Sequence, residues 1–324
     1  MSAVVEVRGL SVDYGWRNPV HAVRSVTLDI QPNEFVGLVG ESGCGKSTLG
    51  FALAHLLRSP AHKAAGTIAI AGQDWDTLTP EEMRRARWSE LAVVLQSGMN
   101  ALNPVMTVGA QFRDVLQQHT TMSAPDIVER SAEMLGMVRI ERDILRRYPH
   151  ELSGGMKQRV AIALALVLQP KLVIMDEPTT ALDVVVQRQI LENLKLLRSQ
   201  QEFAVLFVSH DLGLVLELSD TVLVMYAGEL VERQAAGAML DQPMHPYTRA
   251  LLESLPDPER PIRSFAGISG SPPDLHSIPE ACMFAPRCGV RDAVCTAQAP
   301  DLETFGALSL RCFVTREEVT HDAV

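Results

Sequence analysis

Apolar and polar residues follow two different periods along the first part of the chain, and together they predict an α/β fold. Residues 4–12 alternate with a period of two, which indicates a half-buried strand. Residues 35–39 form a nearly continuous apolar run that ends in glycine, as expected of a fully buried strand. Residues 48–57 are apolar at helical spacing. The pattern therefore predicts a buried strand, a glycine loop and a helix.

Further on, strand-like and helix-like segments alternate. Short strands are predicted at 26–30, 67–71, 91–95, 172–175 and 204–208, and helices at 153–168 and 184–197. Residues 107–147 are helical with interruptions and suggest a helical subdomain, at about 97–160, inserted into the core. Such alternation predicts a parallel sheet covered by helices.

The composition changes beyond about residue 236. Ten prolines fall between residues 243 and 300, and regular periodicity fades. We therefore expect a first domain at 1–236 and a small, loop-rich second domain at 237–324. No internal repeat is visible.

Composition and charge narrow the class of protein. With 324 residues, 47% hydrophobic and 21% charged, the chain has the balance of a globular protein and not of a disordered one. The net charge of −10 argues against a dedicated nucleic-acid binder. Neither a membrane-length apolar stretch nor a secretory signal pattern is present in the sequence, so we expect a cytoplasmic protein.

The loop after the buried strand carries the clearest chemistry. It reads Gly40-Glu41-Ser42-Gly43-Cys44-Gly45-Lys46-Ser47-Thr48 and matches G-x-x-x-x-G-K-S/T between a strand and a helix. Glycines let backbone N–H groups surround phosphates, and the helix N-terminus adds partial positive charge. Lys46 is placed to reach the β- and γ-phosphates and Ser47 to bind Mg²⁺. Cys44 receives no catalytic role.

Two carboxylates end the strand predicted at 172–175. Asp176 and Glu177 follow that apolar run directly. Ligands of open α/β sheets bind at the carboxyl ends of the strands. Asp176 is therefore placed to hold Mg²⁺ through water, and Glu177 to orient or deprotonate an attacking water.

Between these two motifs lies a third, which reads Leu152-Ser153-Gly154-Gly155-Met156-Lys157-Gln158-Arg159. Six motifs now stand in order: the phosphate loop, Gln96, this signature, Asp176-Glu177, Thr180-Ala181-Leu182-Asp183 and His210. In that order, residues 4–236 resemble the ATP-binding-cassette (ABC) ATPases. The resemblance implies a parallel-sheet phosphate-loop core with an antiparallel β-subdomain and a helical subdomain. The local chemistry agrees, because Ser153 suits the N-cap of the next helix, where its hydroxyl and the glycine N–H groups form an anion site.

The resemblance implies how two cassettes cooperate. Ser153, Gly154 and Gly155 of one cassette close over the nucleotide that the lysine loop of another holds, and Asp183 lines the seam between the two. A chain with one of each site therefore needs a second cassette.

The resemblance also assigns roles around the nucleotide. Gln96 senses Mg²⁺ and the attacking water and contacts membrane subunits, His210 contacts the γ-phosphate, and Tyr14 stacks on adenine. With Glu177, Gln96 and His210 complete the expected catalytic set. From the residues alone, His210 suits a helix cap and Tyr14 an ordinary surface tyrosine.

Three further motifs are similar to the ATPase subunits of oligopeptide and dipeptide importers. They are Tyr148-Pro149-His150-Glu151, Asn100-Ala101-Leu102-Asn103-Pro104 and His245-Pro246-Tyr247-Thr248-Arg249-Ala250-Leu251-Leu252. The tail from Gly270 to Leu275 also fits, whereas Ala281 stands where that subfamily has glycine.

That resemblance implies a set of partners. They are a second ABC ATPase that is a distinct paralogue, two transmembrane permeases and an extracytoplasmic solute-binding protein, with the chain peripheral on the cytoplasmic face of the membrane. Family analogy favours peptides as the solute, and oligosaccharides and nickel stay open. A soluble, non-transport ABC ATPase is the alternative class. It is disfavoured because the stretch from Lys46 to Ser153 is too short for the long coiled coils of DNA-acting cassettes.

Four cysteines in the tail suggest a metal site. Cys282, Cys288, Cys295 and Cys312 follow the spacing C-x₅-C-x₆-C-x₁₆-C, which matches no zinc finger or bacterial ferredoxin. Spacing alone is compatible with zinc and with an iron–sulfur cluster. Some members of the importer subfamily carry a 4Fe-4S cluster in the matching region, whose charge Arg287 and Arg291 would offset. Zinc and unligated packing cysteines are the alternatives. A bound metal would stabilise the loop-rich tail. A further hypothesis is that the cysteines form a redox switch.

Overall fold

A computed structural model describes residues 2–95, 102–178, 187–188, 194–195, 198, 203–255 and 267–314. The chain divides into two compact units. The signature unit comprises Met1–Glu6, Asp29–Glu34 and Ala69–Phe207, and the phosphate-loop unit comprises Val7–Leu28, Phe35–Ile68 and Val208–Val324. The boundary predicted at residue 236 stays a prediction.

The secondary structure is mixed α/β. The strands are β1 Val5–Tyr14, β2 Val20–Ile30, β3 Phe35–Val39, β4 Ala61–Ile70, β5 Gln73–Asp74, β6 Leu91–Val94, β7 Leu172–Asp176, β8 Ala204–Val208, β9 Thr221–Tyr226, β10 Glu229–Ala235, β11 Glu303–Phe305 and β12 Leu308–Leu310. The α-helices are α1 Lys46–Leu53, α2 Pro80–Ser89, α3 Val108–His119, α4 Ala124–Met137, α5 Gly154–Leu166, α6 Leu212–Leu218, α7 Ala236–Asp241, α8 Pro246–Glu253 and α9 Ala293–Ala297.

In the phosphate-loop unit, the strands lie in the order β11-β12-β10-β9-β3. β3 pairs with β9 in parallel, with Leu38 opposite Leu223, and the remaining pairs are antiparallel. All five residues of β3 are buried, as a continuous apolar run requires. Helix α6 packs on β3 at Gly37, where a Cβ atom would lie 2.1 Å from Cγ1 of Val215. Only glycine allows so close an approach.

The N-terminal strands form a separate sheet in which β1 lies between β2 and β4. The buried residues of β1 include Val7, Leu10 and Val12, with more exposed residues between them. The buried positions change from odd to even numbers across Gly9, whose φ of 58° interrupts the regular alternation of the strand.

In the signature unit, the strand order is β8-β7-β6, with β6 and β7 parallel. All of β7 is buried. Helix α3 packs on α4, and α4 packs on α5. Thr107 and Ser123 cap α3 and α4 by accepting backbone N–H bonds. The helical insert expected at 107–147 is thus present.

Several boundaries differ from the sequence-based prediction. The helix expected at 48–57 is α1, which begins at Lys46 and ends at Leu53. The helix expected at 184–197 lies largely outside the described residues. The C-terminal region is loop-rich as expected, yet its short strand β12 pairs with β10, which the faint pattern did not indicate. Within the described ranges, no helix is long and apolar enough to cross a membrane.

Candidate functional site

The loop between β3 and α1 has a backbone that only glycine can adopt at two positions. Gly45 has φ of 106°, and a Cβ atom there would lie 2.1 Å from the carbonyl oxygen of Ala22. A Cβ atom on Gly40 would lie 2.1 Å from the carbonyl oxygen of Met225. The loop is therefore held tightly against its own unit. Ser42 and Gly43 at its tip are exposed, and Ser47 and Thr48 are half-buried.

Lys46 lies inside this loop. Its side chain is buried, and Nζ donates to the carbonyl oxygens of Gly40 at 2.8 Å and Glu41 at 2.9 Å. Gly45, the N-cap of α1, has no side chain to satisfy the first N–H groups of the helix. An ammonium beside an uncapped helix N-terminus favours an anion such as phosphate.

Cys44 belongs to the same loop but is not set up as a nucleophile. Its thiol is buried, which raises its pKa, and the nearby Lys46 offsets this only in part. A protonated thiol is a poor nucleophile.

Two further predicted contacts lie in the phosphate-loop unit. Tyr14 ends β1 and its hydroxyl is 3.1 Å from Oγ1 of Thr48, so the tyrosine is tied to the start of α1. Ser209 donates its N–H to the carbonyl oxygen of Leu38 at 3.1 Å, which places the exposed His210 just beyond β3. Helix α6 is capped by Asp211, so the capping role considered for His210 belongs to its neighbour.

The predicted carboxylates lie at the end of β7 in the signature unit. Asp176 is buried, and Glu177 is half-buried with φ of 44°. A non-glycine residue in this left-handed conformation costs of order 1–3 kcal/mol, and such strain clusters at functional sites. The backbone thus turns sharply just where the catalytic carboxylate is expected.

The signature motif forms an exposed helix start in the same unit. Ser153 is the N-cap of α5, and its hydroxyl accepts the N–H of Met156 at 3.3 Å. Ser153 is exposed, and Gly154 and Gly155 are half-buried. The anion site predicted at this helix start is therefore open to a ligand.

Some predicted residues lie outside the described ranges. They are Gln96, Asn100, Ala101, Thr180, Ala181, Leu182 and Asp183. The roles given to Gln96 and Asp183 stay predictions.

The cysteines do not support the predicted metal site. All five are free thiols, and the N–H of Cys282 donates to the carbonyl oxygen of Cys295 at 3.0 Å. Across the ranges that the structure describes, which include Cys288 and Cys312, no three His, Cys, Asp or Glu side chains are grouped to hold a metal ion. The described residues therefore give no support to the 4Fe-4S cluster or the zinc ion expected from the sequence.

Alkylation of Cys282 is expected to rise about tenfold per pH unit from neutral pH to about pH 10 without a plateau. Burial, reinforced by Cys295 and Cys312, raises its pKa to about 11, and the thiolate is the reacting form. Iodoacetamide labelling followed by peptide mass spectrometry measures the rate. The same cysteine in the unfolded chain is the control and levels off near an ordinary thiol pKa of about 8.5. A plateau at that pH in the folded protein would contradict the prediction.

Two residues that follow residue 236 in the chain contact the phosphate loop, and sequence reasoning missed both contacts. Tyr247 is fully buried, and its hydroxyl accepts the N–H of Glu41 at 2.8 Å. Arg287, which we expected to offset thiolate charge, instead pairs with the carboxylate of Glu41. The motif at 245–252 marked a subfamily, but no local pattern links it to a loop about 200 residues earlier.

The fully buried His245 gives a pH prediction. Its Nδ1 accepts the N–H of Tyr247 at 3.0 Å, and burial lowers its pKa to about 3. Between about pH 6.5 and 3, His245 is protonated in the unfolded chain but neutral in the folded chain. The free energy of unfolding therefore falls as the pH falls through this range. His245→Asn retains an acceptor but does not titrate. We expect the stability advantage of the native chain over this variant to shrink by up to about 1.4 kcal/mol per unit as pH falls below 6.5. Urea unfolding at several pH values measures it, and a constant difference would contradict it.

The loop, its buried lysine and the uncapped helix define a phosphate-loop nucleotide-binding protein. Family models agree: "ABC transporter" matches residues 23–180, and "Oligopeptide/dipeptide transporter, C-terminal region" matches 231–295. The chain belongs to the family of ABC transporter ATP-binding proteins, since its relatives match nearly its whole length.

Two such relatives show this. A putative peptide import ATP-binding protein of Brucella melitensis is 41% identical over 95% of this chain and 94% of its own. The oligopeptide transport ATP-binding protein AppD of Bacillus subtilis is 40% identical over 98% of both chains.

Solved structures agree on the fold. A dimeric ATP-binding cassette in a post-hydrolysis state with ADP and phosphate superposes with a TM-score of 0.64 at 28% identity, covering 72% of this chain and 98% of that one. CbiO1 of Clostridium perfringens, part of an ABC transporter complex, gives 0.65 at 25% identity, covering 75% and 92%. The predicted α/β cassette fold is confirmed, and the protein is an ATPase.

Proposed function

We propose that this ATPase energises an importer of dipeptides or oligopeptides. The observation that carries the proposal is the match of residues 231–295 to the C-terminal region of oligopeptide and dipeptide transporters. The relatives named peptide import, oligopeptide and dipeptide transport ATP-binding proteins support it, because they align over more than nine-tenths of this chain.

In this proposal the phosphate-loop unit binds ATP. Lys46 and the N–H groups at the start of α1 hold the β- and γ-phosphates. No side chain caps this helix start, and the side chain of Lys46 is buried in the loop. Tyr14 stacks on adenine, and the exposed His210 contacts the γ-phosphate.

Ser47 and Gln96 would supply oxygen ligands to Mg²⁺, and Asp176 would hold the ion through water. A hydroxyl, a carboxylate and an amide oxygen suit this hard cation. Bound there, Mg²⁺ would neutralise charge on the phosphates. Glu177 orients or deprotonates the attacking water.

The signature unit completes the site of a second cassette. Ser153 is exposed at a helix start, so it and the N–H groups of Gly154 and Gly155 are available to the phosphates held by a partner. Asp183 lines the seam between the two cassettes. ATP binding closes the pair, and hydrolysis with product release reopens it.

The assembly we propose contains a paralogous second ATPase, two transmembrane permeases and an extracytoplasmic solute-binding protein. The chain then sits peripherally on the cytoplasmic face of the membrane. Movement of solute follows the opening and closing of the cassette pair.

A gentle detergent pull-down of the tagged chain from its own cells tests the assembly. Mass spectrometry identifies the proteins retained in stoichiometric amounts, and the solute-binding protein is then analysed for its ligand. Two permeases, a second cassette and a bound peptide are expected. A bound oligosaccharide or nickel would show that the transported solute is not a peptide. Recovery with ribosomes or DNA would overturn the transport role.

A further inference from the structure

An ion pair joins the C-terminal region to the phosphate loop. Nη1 and Nη2 of Arg287 lie 2.7 and 2.8 Å from the two carboxylate oxygens of Glu41. The remaining donors reach the carbonyl oxygens of Ser269 and Ile268 and the hydroxyl of Tyr226. The side chain of Arg287 is only 5% exposed. A largely buried bidentate pair with every guanidinium donor engaged fixes both partners in one geometry.

Glu41 is in turn connected to the catalytic part of the loop. Its carbonyl oxygen accepts from Nζ of Lys46 at 2.9 Å, and its N–H donates to the hydroxyl of Tyr247 at 2.8 Å. The carboxylate, the N–H and the carbonyl of this one residue are thus all held. Any shift of Glu41 moves an oxygen that bonds the Lys46 ammonium.

The pair also has an electrostatic effect. Glu41 is the second residue of the loop that would surround a triphosphate, and an unpaired carboxylate there would repel that anion. The guanidinium of Arg287 neutralises the carboxylate. Burial strengthens the interaction, since the side chain of Glu41 is also only 24% exposed.

We propose that Arg287 is a positioning residue of the ATPase, which acts through Glu41 to hold the phosphate loop in its ATP-binding form. The residue comes from the cysteine-bearing region and not from the loop, its strand or its helix. The inference rests on the proposed role of the loop in binding ATP.

ATP binding to the full-length chain tests the proposal by titration calorimetry. Arg287→Ala is expected to raise the Kd for ATP at least fivefold, because the loop loses its anchor and keeps an unpaired carboxylate. In the assembled ATPase, the same variant raises KM while kcat stays within twofold. An unchanged Kd would overturn the proposal.

Arg311→Ala is the matched control. Arg311 is another largely buried arginine of the same region, and its side chain pairs with Glu229 and donates to the carbonyl oxygens of Leu230 and Pro300, none of which belongs to the phosphate loop. We expect its removal to lower thermal stability while the Kd for ATP stays within twofold of the native value. An equal loss of affinity in both variants would show a general structural effect and overturn the proposal.

A second substitution tests whether Arg287 acts through Glu41. In the Arg287→Ala background, Glu41→Gln removes the unpaired carboxylate and is expected to restore affinity to within twofold of Glu41→Gln alone. A double variant as weak as Arg287→Ala would overturn the proposal.

Arg287→Lys guards against misfolding, since it keeps a cation but breaks the bidentate geometry. It is expected to weaken ATP binding at least twofold, and native affinity would count against the proposal. If the native chain itself fails to bind ATP, the role of the loop fails. If it binds and Arg287→Ala binds equally well, only the role of Arg287 fails.

Discussion

Replacing Lys46 by alanine is expected to reduce ATP hydrolysis by at least about 100-fold. The side chain is buried in the phosphate loop, and its ammonium is bonded to two carbonyl oxygens of that loop. Alanine removes the positive charge that meets the β- and γ-phosphates, and it removes the ammonium donor from the carbonyl oxygens of Gly40 and Glu41. Phosphate release by the assembled ATPase measures the effect, and titration calorimetry measures the accompanying loss of ATP affinity.

Lys171→Ala is the matched control for this substitution. Lys171 is more than half exposed and pairs with Glu90 in the signature unit. Exposed ion pairs contribute about 0–1 kcal/mol, so we expect hydrolysis close to that of the native chain. If Lys46→Ala hydrolysed ATP as fast as Lys171→Ala, the phosphate site would have to be elsewhere.

Glu177→Gln is expected to reduce hydrolysis by about 10²- to 10⁴-fold while ATP binding is retained. Glutamine has the same size and tolerates the same backbone, but it cannot accept a proton from water. Glu177 directly follows the buried β7, where a catalytic carboxylate is predicted. Single-turnover phosphate release measures the chemical step, and calorimetry measures the Kd for ATP.

The control is Glu133→Gln, which removes an exposed carboxylate from helix α4 in the same unit. Its hydrolysis rate should match that of the native chain. Equal rates for the two variants would exclude Glu177 as the general base. Loss of ATP binding in Glu177→Gln would instead indicate a role in holding the nucleotide.

The parts of the fold with strong local patterns could be predicted from the sequence. The continuous apolar run of β3, the glycine loop and the helix start at Lys46 each depend on residues close together in the chain. Ser153 is likewise a capping residue that a local pattern identifies, and it does cap α5. Such features need no knowledge of tertiary contacts.

Features that depend on distant segments could not be predicted. Glu41 and Arg287 are 246 positions apart, and neither residue carries a local sign of its partner. The same limit applies to the predicted cysteine site. The spacing of the cysteines gives their positions in the chain but not the distances between their thiols in the fold. The short strand β12 has only three residues and gains its pairing with β10 from tertiary packing.

The pairing of Glu41 with Arg287 also bears on the order in which the protein is made. Translation proceeds at about 5–20 residues per second, so the 246 positions between them take roughly 12–50 s to synthesise. Throughout that interval the nascent chain carries a complete phosphate-loop sequence whose Glu41 carboxylate has no Arg287. A truncated product that ends shortly before Arg287 would contain every nucleotide-site motif from Gly40 to His210 and still lack the finished loop. Arg287, synthesised well after the loop, thus completes a site whose own motifs emerge much earlier.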